Sequence, residues 1–324
     1  MTASGIGTFG ELLARRVVER ESQLVLGLDP DPARLWPEAL EIQQSEQGGG
    51  GLATVGVGQR SLPEPTYRAA AAVEAHCRAV IGAVAEECVA VKLQAACFER
   101  LGAPGWAALV RTGQVAREHG LLVIADAKRG DIDISAAAYA QAFFGSTPTP
   151  WGEAEGAGVD ALTVNPLLGA DSIRPLLEEA RHRGAGLFVL VRTSNPGAAD
   201  VQDLELAAGG TVSDRLAGMV AELGAAGIGP AGLSDVGAVV GATVPERLAS
   251  LRELMPHTVF LLPGVGAQGG SVQDLAPAFA PGRAGGLVSS SRGIVRAHET
   301  AGGDPSEAAR REAARLRAVA WKLG

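Results

Sequence analysis

A chain of 324 residues is long enough to bury a full core, and its formal net charge of −8 excludes a general nucleic-acid binder, which would carry a basic surface. Aromatic residues are scarce at 4% while alanine, glycine and valine are plentiful, which suits an α/β interior filled by small and branched side chains. Cys77, Cys88 and Cys97 form an odd set without framework spacing, which argues against a disulfide-stapled secreted domain and for a reduced, cytoplasmic setting.

The five histidines (His76, His119, His182, His257 and His298) show no paired spacing of the kind zinc requires, and each is expected at the surface or a helix end. No basic segment followed by an apolar one opens the chain, and no apolar run reaches membrane-spanning length, so no membrane association is expected.

In chain order, Thr8-Phe-Gly-Glu11 reads as a capping box, and Phe9, Leu12, Leu13 and Val17 share a helical face. A helix there would precede the first strand and close one end of the fold. Short aliphatic runs then recur at 24–28, 89–92, 121–125, 161–164, 186–191, 237–240, 258–262 and 286–289. Amphipathic segments lie between them, among them 67–87, 134–144, 172–183, 212–223 and 245–254, and an Ala/Arg/Glu-rich helix is expected over 306–323. Strand–helix alternation repeated eight times within one domain predicts a closed parallel (β/α)8 TIM barrel over 1–324 rather than an open doubly wound sheet. Residues 36–66 and 145–158 interrupt the alternation and read as loop insertions.

Chemistry concentrates where strands end. In Leu121-Leu-Val-Ile-Ala-Asp126-Ala-Lys128-Arg-Gly-Asp131-Ile132 an aliphatic strand runs into alternating charges. Side chains at i and i+2 share a strand face, so Asp126 and Lys128 would point the same way. Charges partly withdrawn from water must pair, which calls for a second cation, and Lys92 at the end of the second strand supplies one. Asp29, Asn165, Thr193 with Ser194, Gly264 to Gln268, and Ser291 with Arg292 end other strands on the same face, where barrel enzymes build their sites. The glycine-rich loop around Gly266 and the Arg292 loop, following strands seven and eight, together point to phosphate binding. Asp29 reads either as a helix cap or as a ligand for sugar hydroxyls; Asn165 and Ser194 read either as turn residues or as ligand contacts.

The run Asp126-Ala-Lys128-Arg-Gly-Asp131-Ile132, with Ser135 three residues on, resembles the signature of the orotidine 5′-phosphate decarboxylase family. Leu26-Gly-Leu-Asp29, Val91-Lys92, Thr163-Val-Asn165-Pro, Arg192-Thr-Ser194-Asn-Pro-Gly, Pro263-Gly-Val-Gly266-Ala-Gln268 and Ser291-Arg292-Gly293 follow the family's order, and the insertions resemble its longer bacterial subfamily. The resemblance implies decarboxylation of a pyrimidine nucleotide without metal or organic cofactor. It further implies that Lys92, Asp126, Lys128 and Asp131 form a charged network, with Asp131 lent to the partner's site in a homodimer. Gly266, Gln268 and Arg292 would hold phosphate, Ser194 would meet the pyrimidine, Asp29 with Lys92 would meet the ribose, and Ile132, Ser135 and Asn165 would complete the substrate contacts. Two competing readings are a magnesium-dependent sugar-phosphate enzyme on the same barrel, which Lys92 opposes, and a non-catalytic phosphate-binding barrel.

Overall fold

The computed structural model describes residues 7–40, 64–266 and 269–324. Strands buried on both faces must be aliphatic throughout, and the runs named above pair in parallel as such strands do. They are β1 (Leu24–Leu28), β2 (Ala90–Gln94), β3 (Leu122–Arg129), β4 (Ala161–Val164), β5 (Gly186–Arg192), β6 (Val236–Val240), β7 (Phe260–Leu262) and β8 (Gly286–Ser290). Their order around the closed barrel is β1-β8-β7-β6-β5-β4-β3-β2, the expected TIM architecture.

The surrounding helices are α2 (Glu64–Val84), α3 (Ala95–Glu99), α4 (Gly102–Glu118), α5 (Asp133–Phe143), α6 (Ala170–His182), α7 (Val212–Gly224), α8 (Pro245–Leu254), α9 (Arg292–Val295), α10 (Ala297–Ala301) and α11 (Pro305–Trp321). Preceding them, α1 (Phe9–Arg20) carries the capping box in full, with Thr8 and Glu11 exchanging side-chain and backbone hydrogen bonds. Its buried residues Phe9, Leu13 and Val17 join a cluster with Val25, Leu122, Phe188, Val259 and Leu287, so α1 plugs the barrel from below. Phe9 meets Phe188 edge to face, with centroids 5.9 Å apart. A second, larger cluster fills the layer between barrel and helices.

The structure departs from the expected elements in three places. The 145–158 segment is not an irregular loop: Ser146–Thr149 and Gly152–Glu155 pair as an antiparallel hairpin that carries the exposed Trp151 at its tip. Helix α4, which the periodicity does not mark, contains Gly102, Pro104, Gly105 and Gly113; Gly105 allows close packing, since a Cβ there would stand 2.0 Å from Phe98 O. His76 is buried in mid-helix rather than at the surface, because it follows Val73 by three residues and precedes Val80 by four on the apolar face of α2. Most of the 36–66 insertion, residues 41–63, lies outside the described residues.

Arg252 of α8 is buried and, among the described residues, pairs with no carboxylate. Its guanidinium instead donates to Met255 O at 2.8 Å, Thr258 O at 2.7 Å, Ala278 O at 2.7 Å and Gly285 O at 3.0 Å, and lies 3.7 Å from the Phe260 ring centroid. Burial pushes its pKa down to about 10, so it stays charged at neutral pH while tying together the loops below β7 and β8. Arg252→Met would orphan these carbonyls, and urea denaturation should show a loss of roughly 3 kcal/mol or more.

Candidate active site at the C-terminal mouth of the barrel

Register decides which polar side chains enter the barrel mouth. On β2, Lys92 stands beside Ile124 of β3 and Gln94 beside Asp126. Lys92 and Asp126 are both almost fully buried. Lys92 Nζ reaches Asp126 Oδ2 at 2.6 Å, and Gln94 Nε2 donates to the same oxygen at 3.3 Å. Lys128 Nζ donates to Asp126 Oδ1 at 2.5 Å, and Thr163 Oγ1, from β4, donates to that oxygen at 2.9 Å.

Lys128 does not reach Asp126 by simple strand alternation. The pairing of β3 with β4 slips between Ala125 and Arg129, so Asp126, Ala127 and Lys128 stand opposite Thr163 alone. Lys128 takes φ +48°, and its amide donates to Thr163 Oγ1 at 3.0 Å. The threonine thus binds both backbone and carboxylate at the irregularity. Arg129, next in the chain, turns outward, pairs with Glu99 of α3 and lies over the rings of Tyr139 and Phe143, anchoring the end of the bulged segment.

The electrostatics follow from this packing. Burial alone would raise the pKa of Asp126, but the ammonium groups of Lys92 and Lys128 outweigh it and hold the carboxyl well below the usual range. Burial likewise opposes charge on Lys92, yet Asp126 and Asp29 keep its ammonium above the ordinary lysine value. The pair therefore stays ionised through neutrality, with two cations facing one carboxylate.

The remaining predicted residues lie around the rim. Asp29 is exposed, and the helix-cap reading does not hold for it: Asp31 makes the following turn, accepting from Ala33 N at 3.2 Å and Arg34 N at 2.8 Å. Asp29 shares a pocket with Gly27, Arg34, Ser291 and Arg292. Gly27 is required there, since a Cβ would come within 1.8 Å of Ser291 Oγ. Arg292, the first residue of α9, also faces an open cleft of about 630 Å³ together with Gly266, Arg296, Arg311 and Arg315. The loops after β7 and β8 therefore share one rim. Gly266 takes φ +75°, but its N–H donates to Gly270 O at 2.9 Å within its own loop. Gln268 lies outside the described residues.

Ser194 is half-buried on the β5 loop, its backbone packed on Gly241 and its carbonyl accepting from Thr243 Oγ1 at 3.2 Å. Buried Arg192 braces that loop through two 2.8 Å hydrogen bonds to Asp203. Asn165 Oδ1 accepts from Leu167 N at 3.0 Å, so this oxygen serves a turn. Asp131 stays outside the network within its own chain, with Oδ1 accepting from Ile132 N at 2.8 Å; Ile132 and Ser135 are exposed beside it.

Gln94 and Thr163 are the contacts that reasoning from the sequence missed. Both carried a usable signal, since each stands two strand positions from a residue already singled out, Gln94 from Lys92 and Thr163 from Asn165.

A closed parallel barrel with an acid–amine array at its C-terminal mouth, and arginine on the rim after β8, has the layout of a TIM-barrel enzyme. The family whose sequence profile matches residues 22–311 is the orotidine 5′-phosphate decarboxylase / HUMPS family. This chain belongs to that family. It is 42% identical over 295 residues to an orotidine 5′-phosphate decarboxylase of Rhodopirellula baltica, covering 90% of this chain and 89% of the relative. It is 40% identical over 303 residues to one of Deinococcus radiodurans, covering 93% and 94%. Among solved structures, the Leishmania donovani OMP decarboxylase superposes with TM-score 0.67 at 30% identity, over 97% of this chain and 98% of that one. A Streptomyces avermitilis structure superposes with TM-score 0.74 at 33% identity, over 100% of this chain and 98% of that one.

The depressed Asp126 pKa sets a pH dependence. Its ion pairs contribute full stability above the ordinary aspartate range near pH ~4, and that contribution is lost as pH falls through the lower folded-state value. Asp126→Asn should therefore cost about 3 kcal/mol at neutral pH and lose less than the parent on acidification, as read from urea unfolding across pH 7 to roughly 3.

Proposed function

We propose that this chain is an orotidine 5′-phosphate decarboxylase, releasing CO2 from orotidine 5′-monophosphate to give uridine 5′-monophosphate in pyrimidine biosynthesis. The observation that carries this reading is the placement of Asp126 between Lys92 and Lys128 at the barrel mouth that also bears Arg292. Breaking the bond from C6 to the carboxylate leaves its electron pair on C6 with no conjugated sink, so the site must stabilise charge by placement. Lys128 is the proton donor: its ammonium faces the developing carbanion, and its proton ends on C6 as CO2 departs. A side chain 44% exposed at the mouth can be reprotonated from solvent. Asp126 sits beside the departing carboxylate and fixes the amine; Lys92 and Thr163 hold Asp126 in turn.

Substrate groups away from the bond being broken supply the rest of the barrier reduction. Arg292, with Gly266 and Gln268, grips phosphate; Asp29 with Lys92 takes the ribose; Ser194 meets the pyrimidine, and Ile132, Ser135 and Asn165 complete the substrate contacts. The chemistry needs neither metal nor organic cofactor. A magnesium-dependent sugar-phosphate enzyme is disfavoured because the ammonium of Lys92 on β2, with Lys128, engages both oxygens of Asp126.

The working unit in this reading is a homodimer of single-domain, cytoplasmic chains, in which Asp131 completes the partner's network. Apolar side chains around Asp131 support it: Ile132, Ile134, Leu167 and Leu168 are exposed on the segments following β3 and β4, Ile134 to 86% and Leu167 to 80%. Cys77 and Cys88 are buried free thiols, with Cys88 pushed up to about 12 by burial, which suits a reducing compartment. Among the described residues, no helix is long and apolar enough to cross a membrane.

With orotidine 5′-monophosphate and excess chelator, orotate absorbance should fall with the parent chain and stay constant with Lys128→Ala, which should still bind product. A parent inactive with chelator but rescued by magnesium would overturn the assignment. For the shared site, Lys128→Ala and Asp131→Ala chains, each inactive alone, should regain about a quarter of parental activity when reassorted in equal amounts, because one site in each mixed dimer is intact. No recovery on reassortment would place Asp131 outside the partner's site.

A further inference from the structure

The helix that carries Arg292 is a single turn, Arg292–Val295, too short to hold its own geometry. Its orientation must come from contacts outside itself. One is Trp36, on the segment following β1, which is 2% exposed and donates its indole Nε1–H to Val295 O at 2.9 Å. The main-chain N–H of Trp36 donates to His76 Nδ1 at 3.1 Å, and the two rings meet edge to face at 5.6 Å. His298 also meets the indole edge to face, with centroids 6.5 Å apart. Trp36 is therefore fixed by α2 and in turn holds the end of the Arg292 helix. The pocket shared by Asp29 and Arg292 is lined by His76 and Val295 as well.

We propose that Trp36 is a positioning residue for phosphate capture, its indole N–H setting the helix that aims Arg292, with His76 fixing Trp36. The inference rests on the phosphate role given above to Arg292. Nothing in it requires Trp36 to touch substrate. Burial and His298 hold His76 down to about 4, so Nδ1 remains an acceptor at neutral pH.

Trp36→Phe keeps the aromatic packing and removes only the indole donor. The KM for orotidine 5′-monophosphate should rise about three- to tenfold with kcat little changed, as expected for one hydrogen bond. Affinity for uridine 5′-monophosphate should fall by the same factor, while affinity for uridine, which lacks the phosphate, stays put. In an Arg292→Ala background, Trp36→Phe should cost nothing further. Equal losses for nucleotide and nucleoside, or additive losses in the double variant, would overturn the proposal. If Trp36→Phe does not fold, the pair His76→Leu and His76→Asn decides: only the asparagine can present an oxygen where Nδ1 stands, so it should restore the KM that leucine raises. Equal behaviour of that pair would remove the latch. Parental binding of nucleotide no tighter than nucleoside would instead refute the phosphate site itself.

Discussion

One carboxylate held between two ammonium groups is the constraint on which the barrel mouth is built. A buried Asp126 without Lys92 and Lys128 would be neutral or ruinously expensive, and either amine without Asp126 would lose its aim. The neighbours serve that arrangement: Gln94 and Thr163 use the lone pairs of Asp126 that the lysines leave, and Arg129 anchors the far side of the irregular segment. Two ammonium groups against one carboxylate leave a local excess of positive charge at this mouth, in a chain whose net charge is −8.

Much of this was legible before coordinates. The eight aliphatic runs announce strands buried on both faces, and the capping box at Thr8 and Glu11 announces the helix that plugs the barrel. The partnership of Asp126 with Lys92 follows from the cost of leaving charge unpaired, which holds whatever the fold's details. Register was another matter. Nothing in the residues flanking Ala127 states that three residues of β3 will face one of β4, because a bulge is fixed by the neighbouring strand as much as by its own sequence. Glycines hid α4, where Gly105 reflects close packing against Phe98 and Gly102 a left-handed start rather than a chain break, and Pro148 and Pro150 made the hairpin at 145–158 look like loop.

The rim residues divide into those that share a pocket or a braced loop and those that stay outside the network. Asp29 and Arg292 share a pocket within the chain, and Ser194 sits on a loop braced by Arg192 and Asp203. Asp131, Ile132 and Ser135 instead lie on the segment after β3, Ile132 and Ser135 exposed near the exposed Ile134.

The left-handed backbone at Lys128 has a cost of its own. A side chain bearing Cβ at φ +48° forfeits about 1 kcal/mol that glycine would not, so the fold carries a standing penalty at the lysine that pairs with Asp126. Lys128→Gly would ease the backbone while removing the amine. The amine that pairs with Asp126 is thus held in place at a cost in folding strength.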